Sequence, residues 1–142
     1  KALGKLKSYK MHIAWDDGEA DGEFIFGMVT NTTSVGGFSG LAPKDVSFHD
    51  GLFEGLFIRT PKSPVDLPNI LSGLLLFPEQ ENKDMIRFKS SKFTVTADED
   101  VPWVLDGEFG GAVKEAKIEN VKEAVTLSCS PEPEKKEEKT EN

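Results

Sequence analysis

The sequence is poor in the residues that build closed metal cages and covalent frameworks. Among 142 residues there is one cysteine, Cys129, and two histidines, His12 and His49. A single thiol excludes an internal disulfide framework and agrees, weakly, with a reducing compartment. One thiol and two imidazoles are too few for a thiolate–imidazole zinc cage. Long apolar runs are missing too. The best candidate, "ILSGLLLF", falls far short of the roughly 18 residues that a membrane span requires. Cations are outnumbered, with 17 Lys and Arg against 25 Asp and Glu, a net charge of -8. That balance argues against direct nucleic-acid binding, because phosphates would be repelled. It leaves room for a phosphorylated substrate held through a divalent cation. No signal peptide is visible, although the chain begins at Lys1 rather than Met, so a leader removed by processing stays open.

The remainder is ordinary globular material, 37% hydrophobic and of a length that suits one domain. Its dominant period is two. In "YKMHIAW", Tyr9, Met11, Ile13 and Trp15 alternate with Lys10, His12 and Ala14. "FIFGMV" follows after the acidic, glycine-containing "DDGEADGE", and the three segments read as a hairpin. Further strands are expected at residues 52–58, in "DMIRFK", in "KFTVTA", in "AVKEAKIEN" and in "EAVTLSC". Seven or more short strands separated by turn residues predict a mainly β protein, a two-layer antiparallel β-sandwich. One segment departs from this period. In "SPVDLPNILSGLLLF", Leu67, Ile70, Leu71, Leu74 and Leu75 fall on one helical face, predicting a short helix that starts at Asp66 and covers the sheets. Residues 1–129 are thus expected to form the domain. Residues 130–142, without an apolar side chain beyond the prolines, are expected to be a charged, disordered tail.

Three stretches could carry chemistry. In "VPWVLDGEFG", Asp106 and Glu108 flank a glycine. In an extended chain such a pair shares one side, and two neighbouring carboxylates can raise one pKa toward a useful general base. Asp-Gly is equally an ordinary hairpin turn. In "SFHDGLFEG", Asp50 in a turn with nearby carbonyls suits a hard cation, while His49 reads as a surface or packing residue. In "TNTTSVGGFSGLAP", the hydroxyl-rich loop with Asn31, Gly36 and Gly37 could line a ligand cleft, but it lacks the spacing of dinucleotide or Walker phosphate loops.

The order of these stretches is more specific than any one of them. "TNTTSVGGF", then "LAP", then "DG", a Leu-rich helix, "PWVLDGE" and "KIENVKEAVTLS", from about Lys7 to Ser128, resemble the C-terminal domain of the soluble diacylglycerol kinases of Gram-positive bacteria, within a wider family that includes sphingosine and ceramide kinases. The resemblance implies a β-sandwich paired with an N-terminal nucleotide-binding domain, with the lipid between the two. That domain's Gly-Gly-Asp-Gly-Thr motif is absent from these residues. It implies ATP-dependent phosphorylation of the hydroxyl of diacylglycerol or a related lipid, with Glu108 as catalytic base and Asp106 shaping its turn. It also implies Mg2+ held through Asp50, the Leu52 carbonyl and Ser47, with ATP bound mainly by the N-terminal domain. The isolated domain would be inactive. The full enzyme would be cytoplasmic and peripherally bound to membrane when acting on lipid, and a homodimer is open, since related kinases are often dimers.

Beside the reading that the isolated domain is a regulator or pseudoenzyme partner, two readings of other kinds compete. A non-catalytic β-sandwich that binds carbohydrate or protein would need Trp15 and Trp103 exposed together as a platform. A glycoside hydrolase would need Asp106 and Glu108 to face each other across a sugar, which residues two apart rarely do.

Overall fold

The computed structural model describes residues 6–31, 51–76 and 82–121. Gly36, Gly37, Ser47, Asp50, the strand expected at residues 123–129 and the charged tail lie outside them. The described chain is mainly β, as its period-two pattern predicts. Its elements are β1 (Tyr9–Trp15), β2 (Gly18–Thr30), β3 (Phe53–Arg59), α1 (Asp66–Leu76), β4 (Met85–Ser90), β5 (Lys92–Leu105) and β6 (Glu108–Glu119). All neighbouring strands are antiparallel, in the order β4-β3-β2-β1-β5-β6.

This single sheet supplies two layers by folding over on itself. Two strands separate β4 from β1 in the order, which in a flat sheet would hold them about 14 Å apart. Yet the rings of Trp15 on β1 and Phe88 on β4 stack with centroids 4.3 Å apart. Phe53 on β3 and Phe93 on β5 also meet edge to face, at 6.5 Å. The fold-over is built into β2. Ile25 lies between the registered pairs Phe24–Arg59 and Phe26–Ile58, a bulge that bends the strand from one layer into the other. The core between the layers holds Met11, Ile13, Phe24, Phe57, Phe93 and Val95. Ser91 alone links β4 to β5, and a latch closes that corner. The Asp16 carboxylate accepts the Ser91 N–H at 2.8 Å and the Ser91 hydroxyl at 2.7 Å, while the Asp16 N–H donates to Ser90 Oγ at 3.0 Å.

On the outer side of β3, Leu56 and Ile58 are covered by Ile70 and Leu74 of α1, which is the covering helix expected from the leucine spacing. The helix begins at Asp66, but Asp66 does not cap it in the expected way. Its carboxylate turns back to accept the Ser63 N–H at 3.0 Å, and Ser63 Oγ accepts the Val65 N–H at 3.4 Å. This is a capping box with Ser63 as the cap and Pro64 in the first turn. Leu71, counted on the buried face, is 45% exposed.

Two strand boundaries also differ from expectation. "DDGEADGE" is not a long turn: the chain reverses at Asp16 and Asp17, and β2 already starts at Gly18. Strand β5 runs beyond the expected "KFTVTA" through the acidic residues 98–100 and Pro102 to Leu105. An edge-facing register makes this tolerable. Residues 97–100 fall in a register shift against β6, between the Thr96–Glu115 and Val101–Val113 pairs, so their polar side chains reach water.

Candidate functional site

The β5–β6 hairpin ends in a two-residue turn. Leu105 pairs with Glu108, leaving Asp106 and Gly107 at φ 49° and 86°. Both values lie in the left-handed region that a type I′ turn demands, which Asp tolerates and Gly favours. The expectation that residues 106 and 108 share a side as in an extended strand therefore does not hold. Asp106 belongs to the reversal itself, and Glu108 is the first residue of β6. Both are exposed, and neither makes a hydrogen bond or ion pair among the described residues. Glu108 is thus held by backbone geometry while its carboxylate stays open to accept a proton or a hydrogen bond from outside.

The hairpin that carries Glu108 also walls an apolar cavity of about 220 Å³, lined by Tyr9, Met11, Phe24, Phe57 and Trp103 among others. Trp103 pairs with Gly111, three residues along β6 from Glu108, so the cavity wall and the carboxylate are separated by about 10 Å of strand. Leu105, paired with Glu108 and on the same face, is 62% exposed, whereas Phe109, paired with Val104, is 73% exposed on the other face. Glu108 itself does not line the cavity. The hairpin thus carries an unpaired carboxylate about 10 Å of strand from a greasy recess.

The remaining candidates are placed separately. Asn31 follows the end of β2, half-buried, with an Oδ1 that is buried and without a partner among the described residues. No hydrogen bond and neither of the two described cavities joins it to Glu108. Leu52 precedes β3 directly after Gly51, whose φ of 73° makes a sharp turn there. Among the described residues no group of three His, Cys, Asp or Glu side chains converges to hold a metal ion.

Two charged residues in this region escaped the sequence reading. Glu54 is only 2% exposed, in the row Thr30–Glu54–Lys89 across three strands, with Lys89 Nζ at 3.9 Å. Arg87, across from Leu56, has Nε and Nη2 buried without acceptors among the described residues, and burial lowers its pKa. The available signal was a charge inside each apolar run, "LFEGLFI" and "MIRF". It was passed over because alternation allows every second residue of a strand to face water.

The structure also bears on the competing readings. Trp15 is stacked into the core and Trp103 packs against it, so they form no exposed aromatic platform. Asp106 and Glu108 at adjoining ends of one tight turn cannot straddle a sugar.

Comparison with known proteins agrees with the ordered motifs. No protein-family model matches the chain. A diacylglycerol kinase of Bacillus subtilis is 32% identical over 109 residues, covering 77% of this chain. The chain belongs to the diacylglycerol kinase family. It spans about a third, 35%, of that curated relative's length. In three dimensions it is similar to a candidate diacylglycerol kinase of Bacillus anthracis, with a TM-score of 0.68 and 19% identity, covering 83% of this chain and 40% of that one. A second structure of a candidate diacylglycerol kinase from the same organism gives a TM-score of 0.65 at 17% identity over 85% of this chain and 40% of that one. At those identities the structural likeness speaks for the fold alone. Among the described residues no helix is long and apolar enough to cross a membrane.

Proposed function

We propose that this chain is the lipid-binding and base-bearing domain of an ATP-dependent lipid kinase, which phosphorylates the hydroxyl of diacylglycerol or a related lipid. The observation that carries the reading is Glu108: exposed, unpaired among the described residues and fixed by a tight turn in a domain of this family. In the reaction, the Glu108 carboxylate accepts the proton of the acceptor alcohol as its oxygen attacks the γ-phosphorus, and the bond to the β–γ bridging oxygen breaks to release ADP. The apolar cavity and the exposed Leu105 beside Glu108 suit a substrate with acyl chains attached close to its hydroxyl. Asp106 shapes the turn. On this reading Asn31, with Gly36 and Gly37 outside the described residues, would contact the lipid.

A divalent cation is part of the proposal. The Leu52 carbonyl, Asp50 and Ser47 offer the oxygen donors that Mg2+ prefers, and the left-handed Gly51 gives the sharp turn such a loop needs. When bound, Mg2+ would be held by those oxygens and tie residues 47, 50 and 52 together. ATP, and the cation that neutralises its phosphates, belong mainly to an N-terminal nucleotide-binding domain. On this reading the isolated domain is inactive, and the complete enzyme works at the membrane surface from the cytoplasm.

The experiment is Glu108→Gln in a full-length enzyme. The amide keeps the shape and cannot take a proton, so kcat should fall by about 10²–10⁴-fold with little change in lipid KM. A variant with near-normal kcat would remove Glu108 as the base. Sustained ATP-dependent lipid phosphorylation by the purified 142 residues would overturn the assignment of ATP to another domain.

A further inference from the structure

The proposed reaction leaves open what selects the alcohol that reaches Glu108. Trp103 and Leu105 stand two apart on β5 and point to one side, and Glu108 joins that side because it pairs with Leu105. Paired residues hold their Cβ atoms about 4.5–5.5 Å apart, so the leucine lies directly beside the carboxylate. Its side chain rests on a particular piece of backbone. Trp103 pairs with Gly111 and Val104 with Phe109, which makes Gly110 the extra residue of a bulge. A Cβ on Gly110 would come within 2.8 Å of Leu105 Cγ and 2.9 Å of Cδ1, whereas the Trp103 carbonyl oxygen, at 3.6 Å, is an ordinary contact. Leu105 therefore lies across the bare backbone of Gly110, in the space that a side chain there would take. Backbone strain is not the reason for this glycine, since its φ is not positive, unlike those of Gly107 and Gly111 at 86° and 105°. With one side on the glycine and 62% of its surface still exposed, Leu105 forms an apolar ledge beside the carboxylate.

We infer that Leu105, seated on Gly110, is the residue that sets acceptor specificity, an inference that rests on Glu108 being the base. With an alcohol's hydroxyl at Glu108, the adjoining carbons of that alcohol come against Leu105. Where those carbons carry only hydrogens or esterified oxygens, contact buries apolar surface on both partners. A second free hydroxyl or an ammonium group in the same place would lose its water and find no hydrogen-bond partner on a leucine. The acceptor class is thus an alcohol without a free hydroxyl or ammonium on the neighbouring carbon, as in a 1,2-diacylglycerol. Monoacylglycerols, polyol head groups and sphingoid bases are disfavoured. Val104 and Phe109, on the opposite face of the hairpin, take no part in this selection.

The test joins steady-state kinetics of a full-length enzyme, with dioctanoylglycerol and monooctanoylglycerol as acceptors, to methyl NMR of the 142-residue chain. Leu105→Ala should raise KM for dioctanoylglycerol about tenfold and leave kcat within about twofold, while Leu105→Met should keep the native KM. Leu105→Ser supplies a hydrogen-bond partner. It should lower the preference for dioctanoylglycerol over monooctanoylglycerol, read as the ratio of the two kcat/KM values, by about tenfold. Gly110→Ala should move the Leu105 methyl resonances of the 142-residue chain and raise KM as Leu105→Ala does. The double variant should be no worse than either single one, because an alanine at 105 has no Cγ for the new Cβ to meet. Val104→Ala, on the other face, should change neither KM nor the preference. An unaltered KM in Leu105→Ala, an unaltered preference in Leu105→Ser, Leu105 methyls indifferent to Gly110→Ala, or an equal effect of Val104→Ala would each overturn the inference. So would a fall in kcat alone, since Leu105 would then act through Glu108 and not on the acceptor. The base assignment is read separately, from kcat of Glu108→Gln, which none of these KM changes decides.

Discussion

Replacing Phe88 with alanine should separate the two layers of the folded-over sheet more than any exposed substitution. The Phe88 ring stacks on Trp15 at 4.3 Å and 3°, lies parallel to Phe57 at 6.0 Å, and meets Phe93 edge-on at 5.8 Å. Its cross-strand partner is Gly55, where an added Cβ would come within 2.5 Å of the ring. Phe88 therefore lies over bare backbone, and no side chain waits to fill the space it leaves. Core Phe→Ala changes cost about 3–5 kcal/mol, and the partial exposure of this ring places it near the lower end, about 3 kcal/mol. For a chain of this size that corresponds to a fall in Tm of roughly 10 °C. Equilibrium urea unfolding gives the free energy and calorimetry the midpoint. A double-mutant cycle with Trp15→Ala should return a coupling of about 1 kcal/mol, which isolates the stack from simple loss of area. A loss below about 1 kcal/mol, or strict additivity of the two substitutions, would show that β1 and β4 do not clasp each other and that the sheet does not fold over in this way.

Two further outcomes follow from local geometry. The Ser91 N–H and hydroxyl hold the Asp16 carboxyl below its ordinary pKa. Because the folded value is the lower one, the stabilisation is complete above the ordinary carboxylate range and is lost as pH falls through the lowered value. Urea midpoints should therefore drop more steeply on acidification below about pH 4 in the native protein than in Asp16→Asn, and parallel pH profiles would refute this. Gly107→Ala should cost about 1 kcal/mol although its Cβ would meet nothing within 4 Å, because the φ of 86° disfavours a side chain. Gly107→Asn should recover part of the loss in the same urea assay, and an alanine variant as stable as the native chain would show that the turn is not left-handed.

Much of the site was legible because its signals are local. Asp-Gly between two apolar stretches names a tight turn, and the ordered motifs around it pointed to the family that the Bacillus subtilis relative supports. Other details depend on partners distant in sequence. The acidic residues 98–100 stay in β5 because the residues on either side of them are paired, Phe93–Ala97 with β1 and Val101–Leu105 with β6, and composition alone cannot show that pairing. The burial of Glu54 depends on what covers the outer face of β3, which no local pattern in the sequence reveals.

Alternating side chains were sufficient to specify antiparallel strands, and the leucine spacing to specify one amphipathic helix, because the periods of strand and helix are properties of the backbone itself. The tertiary structure decided which surfaces meet. A bulge in β2, the Trp15–Phe88 stack and the Asp16 latch turn one sheet into two layers. Such contacts are set by the packing of segments far apart in the chain, and no local period encodes that.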